Sequence, residues 1–289
     1  VTLWLLRVFL TMIEKRWGMT LERREAVGGE EQDKAAEEVI ESLDSCGVTM
    51  LCLDAIAVGI DTDVQIAAVK LLIALLVKDG GSKPIQTSVY DYLTRNRSDL
   101  FFKQIRKACN ELIDWHRWIK LTGSDETSTE FIHFIRCLQL CSVGHFLPNQ
   151  ELFRNQNIGT SPNTDTICLL DDFVNYLTAL SKMPSRVSTT AAIKVVFMIL
   201  TTIQGPCEDN QYHYAVNTQL LEALNRLMRA KPFPGCVHDD EIQLKILTVG
   251  CFQGLLEGQG SKRAVYEKFL GVIHLDILQL LCEDPKHAA

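Results

Sequence analysis

Apolar residues recur along most of this chain at intervals of three and four, and almost nowhere do they alternate. Val64, Ala67, Ala68, Leu71, Leu72 and Leu75 fall on one face of a helix. Ala192, Val195, Val196, Ile199, Leu200 and Ile203 form a second such stripe, and Ile242, Ile246, Val249, Phe252 and Leu256 a third. Phe269, Val272, Ile273, Leu280 and Leu281 continue the pattern towards the end. That period places a buried stripe along a helix and cannot line one face of a strand. Val195-Val196-Phe197 are strand formers, but their run is long and flanked by helix formers, so it reads as helix.

The stripes are separated by turn signals: Gly28-Gly29, Gly80-Gly81, Thr122-Gly123-Ser124-Asp125, Gly159-Thr160-Ser161-Pro162, Gly205-Pro206, Pro232-Phe233-Pro234-Gly235 and Gly258-Gln259-Gly260-Ser261. The expectation is an all-α fold. A turn every 25 to 50 residues or so suits an armadillo- or HEAT-like α-solenoid, in which stacked helical hairpins bury their surplus apolar faces on one another. No internal sequence repeat stands out, so the solenoid rests on the rhythm of the turns. Residues 1–34 read as an N-terminal amphipathic helix and linker, 35–121 as a first helical lobe and 129–289 as a second. The polar stretch Thr122 to Thr129 is the expected mobile loop or join between lobes.

Composition narrows the function classes. With 47% apolar and 22% charged residues, the 289-residue chain can build a sizeable core. A net charge of −7 argues against a nucleic-acid platform. No stretch reaches the roughly 18 uncharged apolar residues of a membrane span, and Val1-Thr2-Leu3-Trp4-Leu5-Leu6 is cut short by Arg7. Direct membrane insertion is therefore not expected. Many of the ten cysteines, among them Cys52, Cys109, Cys168, Cys251 and Cys282, lie on apolar helical faces as free thiols do, which points to a reducing, cytosolic setting. Val1 in place of an initiator Met suggests a piece of a longer chain.

Few residues suggest chemistry. Cys137, Cys141 and His145 are four apart and would share a helical face, and Cys236 and His238 could complete a zinc set, but buried cysteines and a helix-end histidine account for them equally. Gly254 to Lys262 has the wrong glycine spacing for a phosphate loop and follows a helix. Asp171-Asp172 and Asp239-Asp240-Glu241 read as acids at helix starts. His116, between Trp115 and Trp118, reads as a packed or surface histidine and not a catalytic base. No enzyme and no cofactor is expected.

Four stretches, in order, resemble one family. Gln204-Gly205-Pro206-Cys207-Glu208-Asp209-Asn210-Gln211 is similar to the "QGPC, two variable residues, NQ" segment of inositol trisphosphate receptors. Leu138-Gln139-Leu140-Cys141 followed by Asn149-Gln150-Glu151-Leu152-Phe153-Arg154-Asn155-Gln156-Asn157 resembles their "LQLLC… LQNFLRCQNN" stretch. Upstream, Ala74-Leu75-Leu76 through Gly80-Gly81 and Ile85-Gln86-Thr87-Ser88, then Phe101-Phe102-Lys103, fall where the family has similar residues. The resemblance spans roughly residues 45 to 285. It implies the cytosolic helical region shared with ryanodine receptors, the RIH-associated domain, placed shortly before the membrane domain.

The implied role is a segment that structurally relays ligand binding to the pore of an inositol trisphosphate-gated calcium-release channel. Its implied partners are neighbouring domains and subunits of a homotetramer, on the cytosolic face of the endoplasmic reticulum or another calcium store. The alternative is a soluble helical scaffold that shares the domain and lacks a channel. The family binds calcium here through two glutamates with a glutamine close by. Aligned without gaps, Val143 and Thr201 occupy the glutamate positions, and of that set only Gln204 is present. Glu151 and Glu208 could substitute, though neither aligns. The expectation is that the calcium site is absent.

Overall fold

The computed structural model describes residues 1–27, 34–78, 81–96, 98–124, 129–157, 162–163, 165–205, 207–230, 237–260 and 262–273. Among them are fifteen α-helices, one π-helical turn and no strand, so the fold is all-α. The chain packs as two compact units, one made of Val1–Ala108 with Glu130–Leu169 and the other of Cys109–Thr129 with Leu170–Ala289.

The first unit holds α1 (Thr2–Trp17), α2 (Leu21–Val27), α3 (Lys34–Ser45), α4 (Val48–Val58), α5 (Thr62–Leu76), α6 (Lys83–Arg95), the N-terminal part of α7 (Asp99–Thr122), α8 (Ile132–Ser142) and α9 (Leu147–Arg154). Its centre is α5. Every side chain from Leu71 to Leu76 is buried, and a helix apolar on all sides needs neighbours on all sides. Here α1, α4 and α8 pack around it. The helix starts where it does because Asp61 caps it, its carboxylate accepting from the amides of Asp63 (2.8 Å) and Val64 (3.2 Å).

The second unit holds the C-terminal part of α7, then α10 (Leu169–Ser181), α11 (Arg186–Ile203), α12 (Glu208–Tyr212), the π-helical turn His213–Asn217, α13 (Leu220–Arg229), α14 (His238–Leu256) and α15 (Arg263–Val272). The pairing of α11 with α14 is its core. Two bare positions on α14 permit close approach: a Cβ on Gly254 would lie 3.0 Å from Ile203 Cδ1, and one on Gly250 3.7 Å from Leu200 Cδ2. Contrary to the sequence reading, α11 is long and apolar enough to cross a membrane by length and composition, but 56% of it is buried inside the protein. Its apolarity is that of a core helix enclosed by its neighbours.

α11 begins with a reciprocal cap. Ser185 Oγ accepts from the Ser188 amide at 3.0 Å, and Ser188 Oγ accepts from the Ser185 amide at 2.8 Å. Ser185→Ala is expected to cost about 1 kcal/mol, and Ser185→Asp, which keeps an acceptor, appreciably less. Thermal unfolding of the two variants beside the parent checks this.

Candidate functional site

The motif residues converge on two helix corners. At the first, α8 ends at Ser142 with Val143 extended (φ −60°, ψ 152°) and Gly144 left-handed (φ 74°). Phe146 then opens α9 (φ −76°, ψ 79°). Ending a helix leaves its last carbonyls without intrahelical partners, and buried carboxamides take them up. Asn149 Nδ2 donates to the Cys141 carbonyl at 2.8 Å. Gln86, from α6, donates through Nε2 to the carbonyls of Leu140 and Val143, each at 2.8 Å. Asn149 also donates to the Gln86 carbonyl at 3.3 Å, which closes a knot joining α6, α8 and α9. Gln86 and Asn149 are fully buried.

Gly81 makes room for this knot. Its φ is 86°, and a Cβ there would sit 2.7 Å from Gln86 Nε2 and 2.9 Å from the Val143 carbonyl oxygen. Gly81→Ala therefore meets a left-handed backbone and a backbone clash together. A loss of about 2 kcal/mol in denaturant unfolding is expected.

The second corner repeats the first at an offset of 61 residues. α11 ends at Ile203 with Gln204 extended (φ −67°, ψ 145°), Gly205 is left-handed (φ 87°), and Cys207 opens α12 (φ −88°, ψ 82°). Asn210 Nδ2 donates to the Thr202 carbonyl at 3.0 Å, eight residues back as Asn149 does to Cys141. Gln211 Nε2 donates to the carbonyls of Ile203 (3.3 Å) and Gly254 (2.7 Å), and its Oε1 accepts from Gln259 Nε2 at 2.7 Å. The clamp that α6 supplies at the first corner comes here from the end of α14 and the turn after it. The left-handed glycine and the clamping asparagine, Gly144 with Asn149 and Gly205 with Asn210, are therefore one arrangement used twice. The matched Gly and Asn-Gln spacing was the sequence signal for it, too short to register as a repeat.

Residues 126–228 match the family model described as RyR and IP3R Homology associated. The chain carries a domain of this family. No curated protein shows a significant match to the chain. The homology-associated domain begins ahead of α8 and ends in the last turn of α13, so it contains both corners.

Within this domain the residues at the expected calcium positions do not fit that ion. Val143 has no side-chain oxygen, and its carbonyl accepts from Gln86. Thr201 is buried and donates its hydroxyl to the Met198 carbonyl of its own helix at 2.7 Å. Gln204 caps α11, its amide donating to the Leu200 carbonyl. A hard dication requires several oxygens with carboxylate charge; Thr201 and Gln204 each carry one neutral side-chain oxygen, and the three positions bring no carboxylate. Val143 and Glu151 belong to the first packing unit, Thr201, Gln204 and Glu208 to the second. Glu208, at the start of α12, pairs with Lys262 at 3.2 Å.

The other candidates are also placed. Cys137 and Cys141 lie buried on α8, where the neighbouring Cys137 and burial push the Cys141 thiol well up. His145 does not share their face as the spacing suggested: α8 has ended, and His145 is exposed in a left-handed turn (φ 60°). Cys236 lies outside the described residues, as do residues 125–128 of the polar stretch. Gly254 sits inside α14, which runs on to Leu256, so the stretch from Gly254 begins as helix. Asp171-Asp172 and Asp239-Asp240-Glu241 occupy the first turns of α10 and α14. His213 Nε2 lies 2.8 Å from Asp171 Oδ1, a pair that the separation of 42 residues conceals in the sequence.

His116 is only 4% exposed, and its Nε2 meets the Tyr176 hydroxyl at 2.9 Å. Burial pushes its pKa down to about 4, so it is neutral at physiological pH. Burial likewise pushes the Tyr176 phenol upward. A neutral, packed imidazole held by a phenol that does not ionise is a structural pair.

Proposed function

We propose that this chain is a cytosolic helical segment of an intracellular calcium-release channel of the inositol trisphosphate receptor type. Its task is mechanical: to pass a ligand-driven displacement from distal domains towards the pore. The observation that carries this reading is the homology-associated domain at residues 126–228 with its two clamped corners. A relay must move as stiff bodies between discrete arrangements, and buried carboxamides that hold each corner to a third helix give that stiffness. The reading assigns the chain no catalysis. Its partners are the adjoining domains and subunits of a homotetramer, at the cytosolic face of the endoplasmic reticulum or a similar store. With Val143 and Thr201 at the glutamate positions, the segment works without a calcium ion of its own.

The test is to follow the transcript past Ala289. Several apolar segments of about 20 residues, with a pore-like loop between the last two, are the expected result. A stop codon soon after Ala289 would overturn the channel reading and leave a helical scaffold that shares the domain.

A further inference from the structure

A cavity of about 630 Å³ opens in the second unit between the last turns of α7 and the start of α11. That is the size of a small-molecule site. Its apolar wall includes Ile119, Met183 and Val187, and the charged groups among its described lining residues are Lys120 and Arg186. Both cations are exposed, and neither forms an ion pair among the described residues. Buried His116 also lines it. Nε2 of His116 is held by the Tyr176 hydroxyl at 2.9 Å. The described lining thus combines two positive charges that form no ion pair among the described residues, a buried imidazole and an apolar wall.

We propose that this cavity binds a small phosphomonoester carrying an apolar or aromatic body. Its dianionic head lies between Lys120 and Arg186, its body against Ile119, Met183 and Val187, and His116 supplies a hydrogen bond. Two cations match a charge of about −2, and guanidinium and ammonium are the usual phosphate partners. The apolar wall adds affinity that free phosphate cannot use.

Calorimetric titration of the chain tests this with phenyl phosphate, inorganic phosphate and benzyl alcohol as probes. Phenyl phosphate is expected to bind, inorganic phosphate at least about tenfold more weakly, and benzyl alcohol not measurably. The double variant K120A/R186A is expected to weaken phenyl phosphate by at least about tenfold. Both side chains are exposed, so the variant should keep its helical circular dichroism and melting temperature. No binding of phenyl phosphate at millimolar concentration, or affinity unchanged in K120A/R186A, would overturn the site. Equal binding of inorganic and phenyl phosphate would overturn the apolar part of the assignment. None of these outcomes bears on whether the parent protein forms a channel.

Discussion

Gln211→Leu is expected to destabilise the second unit by about 3 kcal/mol, the largest single-residue effect at either corner. Leucine nearly matches the volume of glutamine, so the change removes hydrogen bonds more than packing. Three are lost: the two that Gln211 donates, to the carbonyls of Ile203 and Gly254, and the one it accepts from Gln259. Water cannot replace them, because both glutamines are fully buried. Each polar atom stranded in this way costs about 1–3 kcal/mol. The carbonyl of Ile203 keeps a weak bond from the Cys207 amide at 3.4 Å, which moderates the total. Denaturant unfolding measures the loss, and Gln211→Glu separates the contributions, since it keeps the acceptor for Gln259 and removes the donor. A loss under about 1 kcal/mol in Gln211→Leu would mean that the corner is held by helix packing alone.

The second large effect is a pH dependence centred on His116. In the folded chain its pKa is pushed down to about 4 by burial; in the unfolded chain it lies near 6.5, as for any exposed histidine. Above that upper value both states are neutral, and His116 contributes its full stability. As the pH falls from about 6.5 towards 4, the unfolded state takes up a proton that the folded state refuses, so stability is lost progressively across that window. A shift of this size corresponds to roughly 3 kcal/mol. The neighbouring titratable group is Tyr176, whose upward shift keeps it protonated throughout, so it adds nothing to this slope. His116→Gln keeps a hydrogen-bonding partner for Tyr176 and does not titrate. Urea unfolding between pH 7 and 4 is expected to show a shallower decline in the variant; parallel declines would mean that His116 is solvated in the folded state.

Both predictions concern polar atoms in a core that the sequence describes almost entirely in apolar terms. The three- and four-residue rhythm specified the helices, because period alone decides between a helix and a strand. The stripes on α5 and α11 correspond to their packed faces, and Leu71, Leu72, Val195, Val196 and Ile199 are buried as the pattern requires. The stripe read on α14 does not: Ile246 is 65% exposed, and the helix packs through Leu244, Thr248, Cys251, Phe252 and Leu255, because small and polar residues, which an apolar pattern skips, line its contact with α11. The acids before Phe173 and Ile242 also fall in first helical turns, since that preference depends on the local helix end. The resemblance through Leu138 to Asn157 and Gln204 to Gln211 led to the homology-associated domain.

Tertiary structure decided what those motif residues are for. In the sequence Gln86, Asn149 and Gln211 are polar residues on helices that ought to face water; in the fold they are fully buried. Gln86 reaches carbonyls 54 and 57 residues away, Gln211 one 43 residues away, and His116 a tyrosine 60 residues away. No local rule indicates such pairings. A carboxamide's place inside or outside depends on whether another helix end brings it an orphaned carbonyl, and that is settled only when the helices pack. The same holds for Gly81, which reads as a helix stop and proves to be the space that Gln86 and Val143 occupy. The sequence by itself determined that the described residues are helical, and it marked some of their turns, among them those at Gly81, Gly123, Gly205 and Gly258. Which turns became clamped corners depended on side chains and carbonyls meeting from distant segments.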